Sequence, residues 1–134
     1  MILDKKILIL IAMFFLHIVD DYYLQGVLVD LKQKSWWQEH TQSPRYRHDY
    51  KIALIEHAFS WSFMIMLPTY VCLWTGLIEA KLFWIVALLV WNVGIHALVD
   101  HLKANRLTIT LVADQLIHFV QILITWLVFF IVPV

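Results

Sequence analysis

Histidine and aspartate recur in this chain at intervals of four. His17, Asp21 and Gln25 follow one another at that spacing; Asn92, His96, Asp100 and Lys103 follow at four, four and three; Asp114 and His118 are again four apart, with Gln121 and Thr125 extending the row. His57 stands alone, with Ser60 one turn later. Residues three or four apart share one face of an α-helix, so each row projects as a single stripe. Imidazole and carboxylate are ligands for zinc, iron or manganese, and an i, i+4 pair lets one helix offer two ligands to one ion. The expected metal ligands are therefore His17, Asp21, His57, His96, Asp100, Asp114 and His118, with Gln25, Asn92 and Gln115 orienting them through hydrogen bonds. These are more donors than one tetrahedral ion uses. Either two ions bind or some of the aspartates hold histidines in place. A divalent metal, zinc first, is the expected cofactor.

The elements that must carry these stripes are long and apolar. Hydrophobic residues make up 62% of the 134 and charged residues 15%, a composition outside the range of soluble domains. A membrane-spanning helix needs about 20 mostly apolar residues, and four stretches qualify: about 6–29, 50–75, 81–103 and 108–132. The expected fold is all-α, a single integral membrane bundle of four transmembrane helices over residues 1–134. Lys5 and Lys6 before the run ILILIAMFFL resemble a signal peptide, but no small-residue cleavage site follows, so the first stretch reads as a retained span. The one sizeable loop, Asp30 to Asp49, places Trp36 and Trp37 beside lysines, as an interfacial segment does, while Tyr70, Trp74 and Trp84 form the opposite belt.

Alternating helix direction brings the stripes to one level. With a rise of 1.5 Å per residue, His57 lies roughly 10 Å inside the start of the second span and His96 roughly 10 Å before the end of the third. Asp21 and His118 fall at a similar depth in the first and fourth. Ionisable groups at such a depth cost several kcal/mol each unless paired, hydrated or bound to metal. His40 and His48 fall in the loop, His101 lies one residue off its stripe, and Glu56 points about 100° from His57; these four are set aside.

Zero formal net charge gives no footprint for nucleic acid, and a single cysteine, Cys72, excludes an internal disulfide or a cysteine-rich zinc site. Lys32, Lys34, Arg45, Arg47, Lys51, Lys103 and Arg106 lie on one side of the four spans and Lys5, Lys6 and Lys81 on the other. The excess of basic residues puts the first side in the cytoplasm and both termini outside.

The chemistry expected of such a site is hydrolysis. A metal held near the cytoplasmic boundary lowers the pKa of bound water and polarises an ester, amide or phosphoester. Asp21 or Asp100 would take the proton and Lys103 would stabilise the developing oxyanion. The depth suits a lipid or lipid-linked substrate entering between helices. Three alternatives stand beside this one: a metal-free His–Asp core that ties the helices together, an ion or proton channel or transporter, and a phage-type interaction protein that interferes with host membrane components and carries its polar core only for folding. The expected partners are the lipid bilayer and, in an oligomer, further copies of the chain.

The series LHIVDDYYLQ, LIEH, GIHALVDHLK and ADQLIH resembles the phage and bacterial membrane family catalogued as domain of unknown function 3307. The likeness covers essentially the whole chain. It implies a multi-pass protein of the bacterial inner membrane and picks out His17, Asp21, Gln25, His57, His96, Asp100, Lys103, Asp114, Gln115 and His118, with Lys34 as a further counterpart. Of the doubled Asp20-Asp21, only Asp21 keeps the four-residue spacing from His17. The resemblance marks a site and leaves its reaction open.

Overall fold

A computed structural model describes residues 2–130 and shows an all-helical chain among them. Its helices are α1 (Ile2–Val19), α2 (Leu28–Leu31), α3 (Lys34–His40), α4 (Tyr50–Trp74), α5 (Leu82–Ala104) and α6 (Leu111–Phe130). Four helical segments, 5–24, 44–74, 82–104 and 111–130, are long and apolar enough to cross a membrane. The expected ends at 131 and 132 lie outside the described residues.

The first span is shorter than its hydropathy suggested. After Val19 the backbone widens into a π-helical turn over Asp20–Leu24, where the Gln25 N–H bonds to the Asp20 carbonyl at 3.1 Å. Gly26 then takes φ +50°, a left-handed conformation that costs glycine little, and the chain turns away. The span therefore ends at Leu24 rather than Val29. The loop that follows is also more ordered than expected: it holds α2, α3 and a 3₁₀ turn at Pro44–Tyr46. Trp37 packs this segment together, donating from Nε1 to the Leu31 carbonyl at 2.7 Å and stacking on Tyr46. Trp36 stacks on His40. At the other end of the bundle Trp74 is almost wholly exposed, as a belt residue is.

The bundle distributes polarity inside out. Its buried side chains include His17, Asp20, Asp21, His57, Asn92, His96, Asp100, Asp114, His118 and Gln121, whereas Phe15, Ile55, Phe59, Val90, Leu116 and Val120 face outward. In water this would forgo apolar burial while burying charge; in hydrocarbon the outward face is already solvated and the polar groups gather inside. Below the polar level, Met13, Ile65, Met66, Leu88, Ile122, Phe129 and Phe130 form a closed apolar core. α1 and α6 are joined where the chain enters and leaves: the Lys6 ammonium donates to the Phe130 carbonyl at 2.5 Å, and Trp126 Nε1 donates to the Lys6 carbonyl at 2.8 Å. These bonds put the start of the first span and the end of the fourth at the same level.

That pairing predicts accessibility. In a Cys72→Ala background, Lys5→Cys and Lys81→Cys should react with an impermeant maleimide from one side of sealed vesicles, and Arg47→Cys from the other. Labelling of positions 5 and 47 from the same side contradicts four spans.

Candidate metal centre

The site is built from the π-turn upward. Consecutive side chains in a helix diverge by about 100°, and both are buried where neighbouring helices cover that arc, as Ala53 with Leu54 and Ile65 with Met66 are in α4. At the π-turn Asp20 is fully buried and Asp21 nearly so. Asp20, which falls off the His17 stripe in an ideal helix, is thus part of the site. Its Oδ1 accepts from Ser60 Oγ at 2.6 Å. Its Oδ2 and His57 Nδ1 both lack hydrogen-bond partners and face each other at 3.8 Å.

On the other side of the His57 ring, Nε2 meets three groups. It lies 3.4 Å from Asp21 Oδ1, 3.4 Å from Asp100 Oδ2 and 3.2 Å from His96 Nε2, while His96 Nε2 stands 3.9 Å from Asp100 Oδ2. A tetrahedral ion with ligands at about 2.0–2.1 Å would space neighbouring ligand atoms roughly 3.3–3.4 Å apart. Asp21, His57 and His96 form one grouping able to hold an ion, and His96, Asp100 and His118 form a second. A π-turn, α4, α5 and α6 each contribute.

His17 stands differently. Its Nδ1 accepts from Trp61 Nε1 at 2.7 Å, and its Nε2 lies 3.1 Å from Gln115 Oε1. An indole only donates, so Nδ1 carries the lone pair, Nε2–H donates to Gln115, and both nitrogens are engaged. Gln115 in turn donates to Asp114 Oδ2 at 3.1 Å. The resulting chain, Trp61 to His17 to Gln115 to Asp114, makes His17 a positioning residue in this geometry, and Gln115 orients an aspartate as expected. Gln25 does not do so: its amide turns back to its own helix and donates to the Asp21 carbonyl. Asn92 acts at one remove. Its Nδ2 donates to Thr125 Oγ1 at 2.9 Å and its Oδ1 accepts from Gln121, whose Oε1 lies 3.1 Å from His118 Nδ1.

Two lysines reach the carboxylates from the loop side. Lys103 Nζ lies 2.6 Å from Asp114 Oδ2, and Lys32 Nζ lies 2.6 Å from Asp100 Oδ2. Lys32 lies on no helical stripe because it belongs to the loop, and the turn at Gly26 brings α2 back over the bundle. Lys34 interacts through its backbone alone, its N–H donating to Asn105 Oδ1 at 2.6 Å. Trp61 was also missed, although it sits four residues after His57 and so shares its face. Its ring stacks on His96 with centroids 4.3 Å apart, and His118 stacks at 4.2 Å from the same imidazole. His40, His48 and Glu56 are exposed, and His101 stacks on Tyr50, away from the cluster.

No family model, curated protein or solved structure matches this chain. The geometry alone therefore indicates what the site can do. Asp21, Asp100 and Lys103 line one cleft of about 140 Å³ together with Tyr22, Gln25, Lys32, Leu111 and Gln115. An adjoining cleft of about 330 Å³ shares Gln25, Lys32, Asp100 and Lys103 and reaches Val29 and Leu107. Tyr22, Leu107 and Leu111 are exposed, so a charged floor lies beneath an apolar rim. Leu107 holds φ +54°, strained for a non-glycine residue.

The Trp61–His17 bond yields a stability prediction. Trp61→Phe keeps a ring against His96 but leaves His17 Nδ1 buried without its donor. Unfolding in detergent, followed by circular dichroism, should show a loss of about 1–3 kcal/mol. An unchanged midpoint would mean that the bond contributes nothing.

Proposed function

We propose that this chain is a membrane-embedded metal-dependent hydrolase acting on a lipid or lipid-linked substrate. The supporting observation is an imbalance of buried charge. Asp20, Asp21, Asp100 and Asp114 are buried together, and Lys32 and Lys103 are the ammonium groups paired to them. With the imidazoles neutral, four carboxylates against two ammonium groups leave two negative charges in a low-dielectric interior, which one divalent cation would neutralise. Asp21 Oδ1, His57 Nε2, His96 Nε2 and Asp100 Oδ2 are the proposed ligands, with ligand-to-ligand spacings of 3.2 to 3.9 Å among the measured pairs. The donor set of imidazole and carboxylate suits zinc, with manganese and iron next.

When bound, the ion would supply Lewis acidity and a water of lowered pKa. The chain's own groups would do the rest. Asp20 Oδ2, 3.8 Å behind His57 Nδ1, would orient the ring once the ligands close on the ion. Asp21 or Asp100 accepts the proton of the attacking water. Lys103 and Lys32, on the cleft wall, receive the negative charge that develops on the substrate. The apolar rim at Tyr22, Leu107 and Leu111 admits acyl chains from the bilayer. The inner membrane, the cytoplasmic placement of the site, termini outside and membership of the family of unknown function 3307 belong to this same proposal.

The channel reading gains little from the fold. The polar ladder from His118 through Gln121 and Asn92 ends at Thr125, and Ile65, Met66 and Phe129 close the bundle beyond it.

Elemental analysis of protein purified and reloaded with zinc, run beside release of water-soluble product from phospholipid vesicles, tests the proposal. Wild type should retain metal and turn over. His57→Gln and Asp100→Asn should keep their helicity but lose both, and Asp20→Asn should weaken metal affinity by about 10–100-fold. Absence of retained metal, or equal turnover in His57→Gln, would overturn it.

A further inference from the structure

We infer that the centre takes two divalent ions, with Asp100 as the bridging carboxylate and the second ion held by Asp100 Oδ1, Asp114 Oδ1 and His118 Nε2. This rests on the metal-binding reading above and concerns a different set of atoms.

The far side of the His118 ring is fixed by hydrogen bonds. Gln121 Nε2 donates to the carbonyl and to the side-chain oxygen of Asn92, each at 3.3 Å, which fixes the amide so that Oε1 points to His118. His118 Nδ1 therefore donates to that oxygen at 3.1 Å. In a neutral imidazole the second nitrogen then carries a lone pair. That nitrogen, Nε2, is aimed at two carboxylate oxygens, 3.3 Å from Asp114 Oδ1 and 3.7 Å from Asp100 Oδ1. A ring nitrogen aimed at two carboxylates in a fully buried pocket calls for positive charge between them, which either a proton on Nε2 or a metal ion in its place would supply. His118 and Asp114 are fully buried, and both His118 Nε2 and Asp114 Oδ1 lack a hydrogen-bond partner.

The neighbouring groups leave these atoms free. Lys103 and Gln115 both hold Asp114 through Oδ2 alone, which directs Oδ1 at His118. Asp100 divides its oxygens in the same way: Oδ2 lies toward His57, His96 and Lys32, and Oδ1 toward His118. One carboxylate thus faces two clusters of donors, an arrangement characteristic of a bridge between two ions. His96, whose ring stacks on both Trp61 and His118, lies next to the second position and offers it a further donor. The spacings of 3.3 and 3.7 Å match the ligand separations around the first position.

A second ion also narrows the substrate class. Two divalent cations against the net buried charge of minus two leave two positive charges, which a phosphate dianion neutralises. Paired ions clamp the attacking and leaving oxygens in phosphoester hydrolysis. The cleft over Asp100, walled by Lys32 and Lys103, lies where such a head group would sit.

The test uses the full-length protein in detergent, stripped with chelator and reloaded with Mn²⁺. Wild type should bind two ions per chain and give the exchange-coupled electron paramagnetic resonance spectrum of a dinuclear centre. His118→Gln and Asp114→Asn should bind one ion and give the six-line spectrum of an isolated Mn²⁺. A wild-type protein that saturates at one ion, with an uncoupled spectrum, overturns the bridge while leaving the mononuclear hydrolase standing. No binding at all removes both. The wild-type spectrum decides the matter even where a variant does not fold.

Discussion

Charge buried away from water dominates this molecule. An isolated carboxylate in a medium of low dielectric is so costly that it must find a cation, a set of donors or a proton, and here four of them occupy one level of one small bundle. Nearly every other feature of that level can be read as a response. Ser60 donates to Asp20, Lys32 and Lys103 reach in from the loop side to Asp100 and Asp114, and Gln115 spans from Asp114 to His17. The imidazoles of α4, α5 and α6 stand among these oxygens, a set of donors that could hold a metal ion.

Backbone geometry and tertiary packing set this arrangement jointly. Two consecutive aspartates at the π-turn both face the bundle, and the break at Gly26 sends α2 back across it so that Lys32 covers Asp100. Trp61 fills the centre, donating to His17 and stacking on His96, so one large side chain fixes two imidazoles at once. The ladder through Gln121 and Asn92 fixes a third. Of these rings only His118 is held by a hydrogen bond on the side away from the cluster, its Nδ1 facing Gln121 Oε1 and its Nε2 turned inward, the pattern by which an outer hydrogen bond selects the tautomer of a metal-binding histidine.

Much of this was legible in the order of residues. The lengths and apolar character of α4, α5 and α6, and the stripes carrying His96 with Asp100 and Asp114 with His118, follow from period and hydropathy because an uninterrupted helix obeys a fixed rotation per residue. The exceptions depend on turns and on packing between segments. Asp20 lies one residue off the His17 stripe and joins the site because α4 packs over that side of the first span, with Ser60 donating to it; the first span stops at Leu24 because the chain turns away at Gly26. Lys32 is invisible to helical periodicity because its approach depends on a turn. His17 shares the spacing of a ligand, yet its neighbour Trp61 claims the nitrogen a metal would need, a competition settled by packing between α1 and α4 rather than by spacing along either.

The central claim is that the buried negative charge at the Asp21–His57–His96–Asp100 level is neutralised by a bound metal. X-ray absorption at the zinc edge, on protein purified without added chelator and reloaded with stoichiometric zinc, tests it most directly. A first shell of nitrogen and oxygen at about 2.0–2.1 Å, with the multiple-scattering signature of at least two imidazoles, is the expected spectrum. A spectrum of hydrated zinc without imidazole scattering would contradict it.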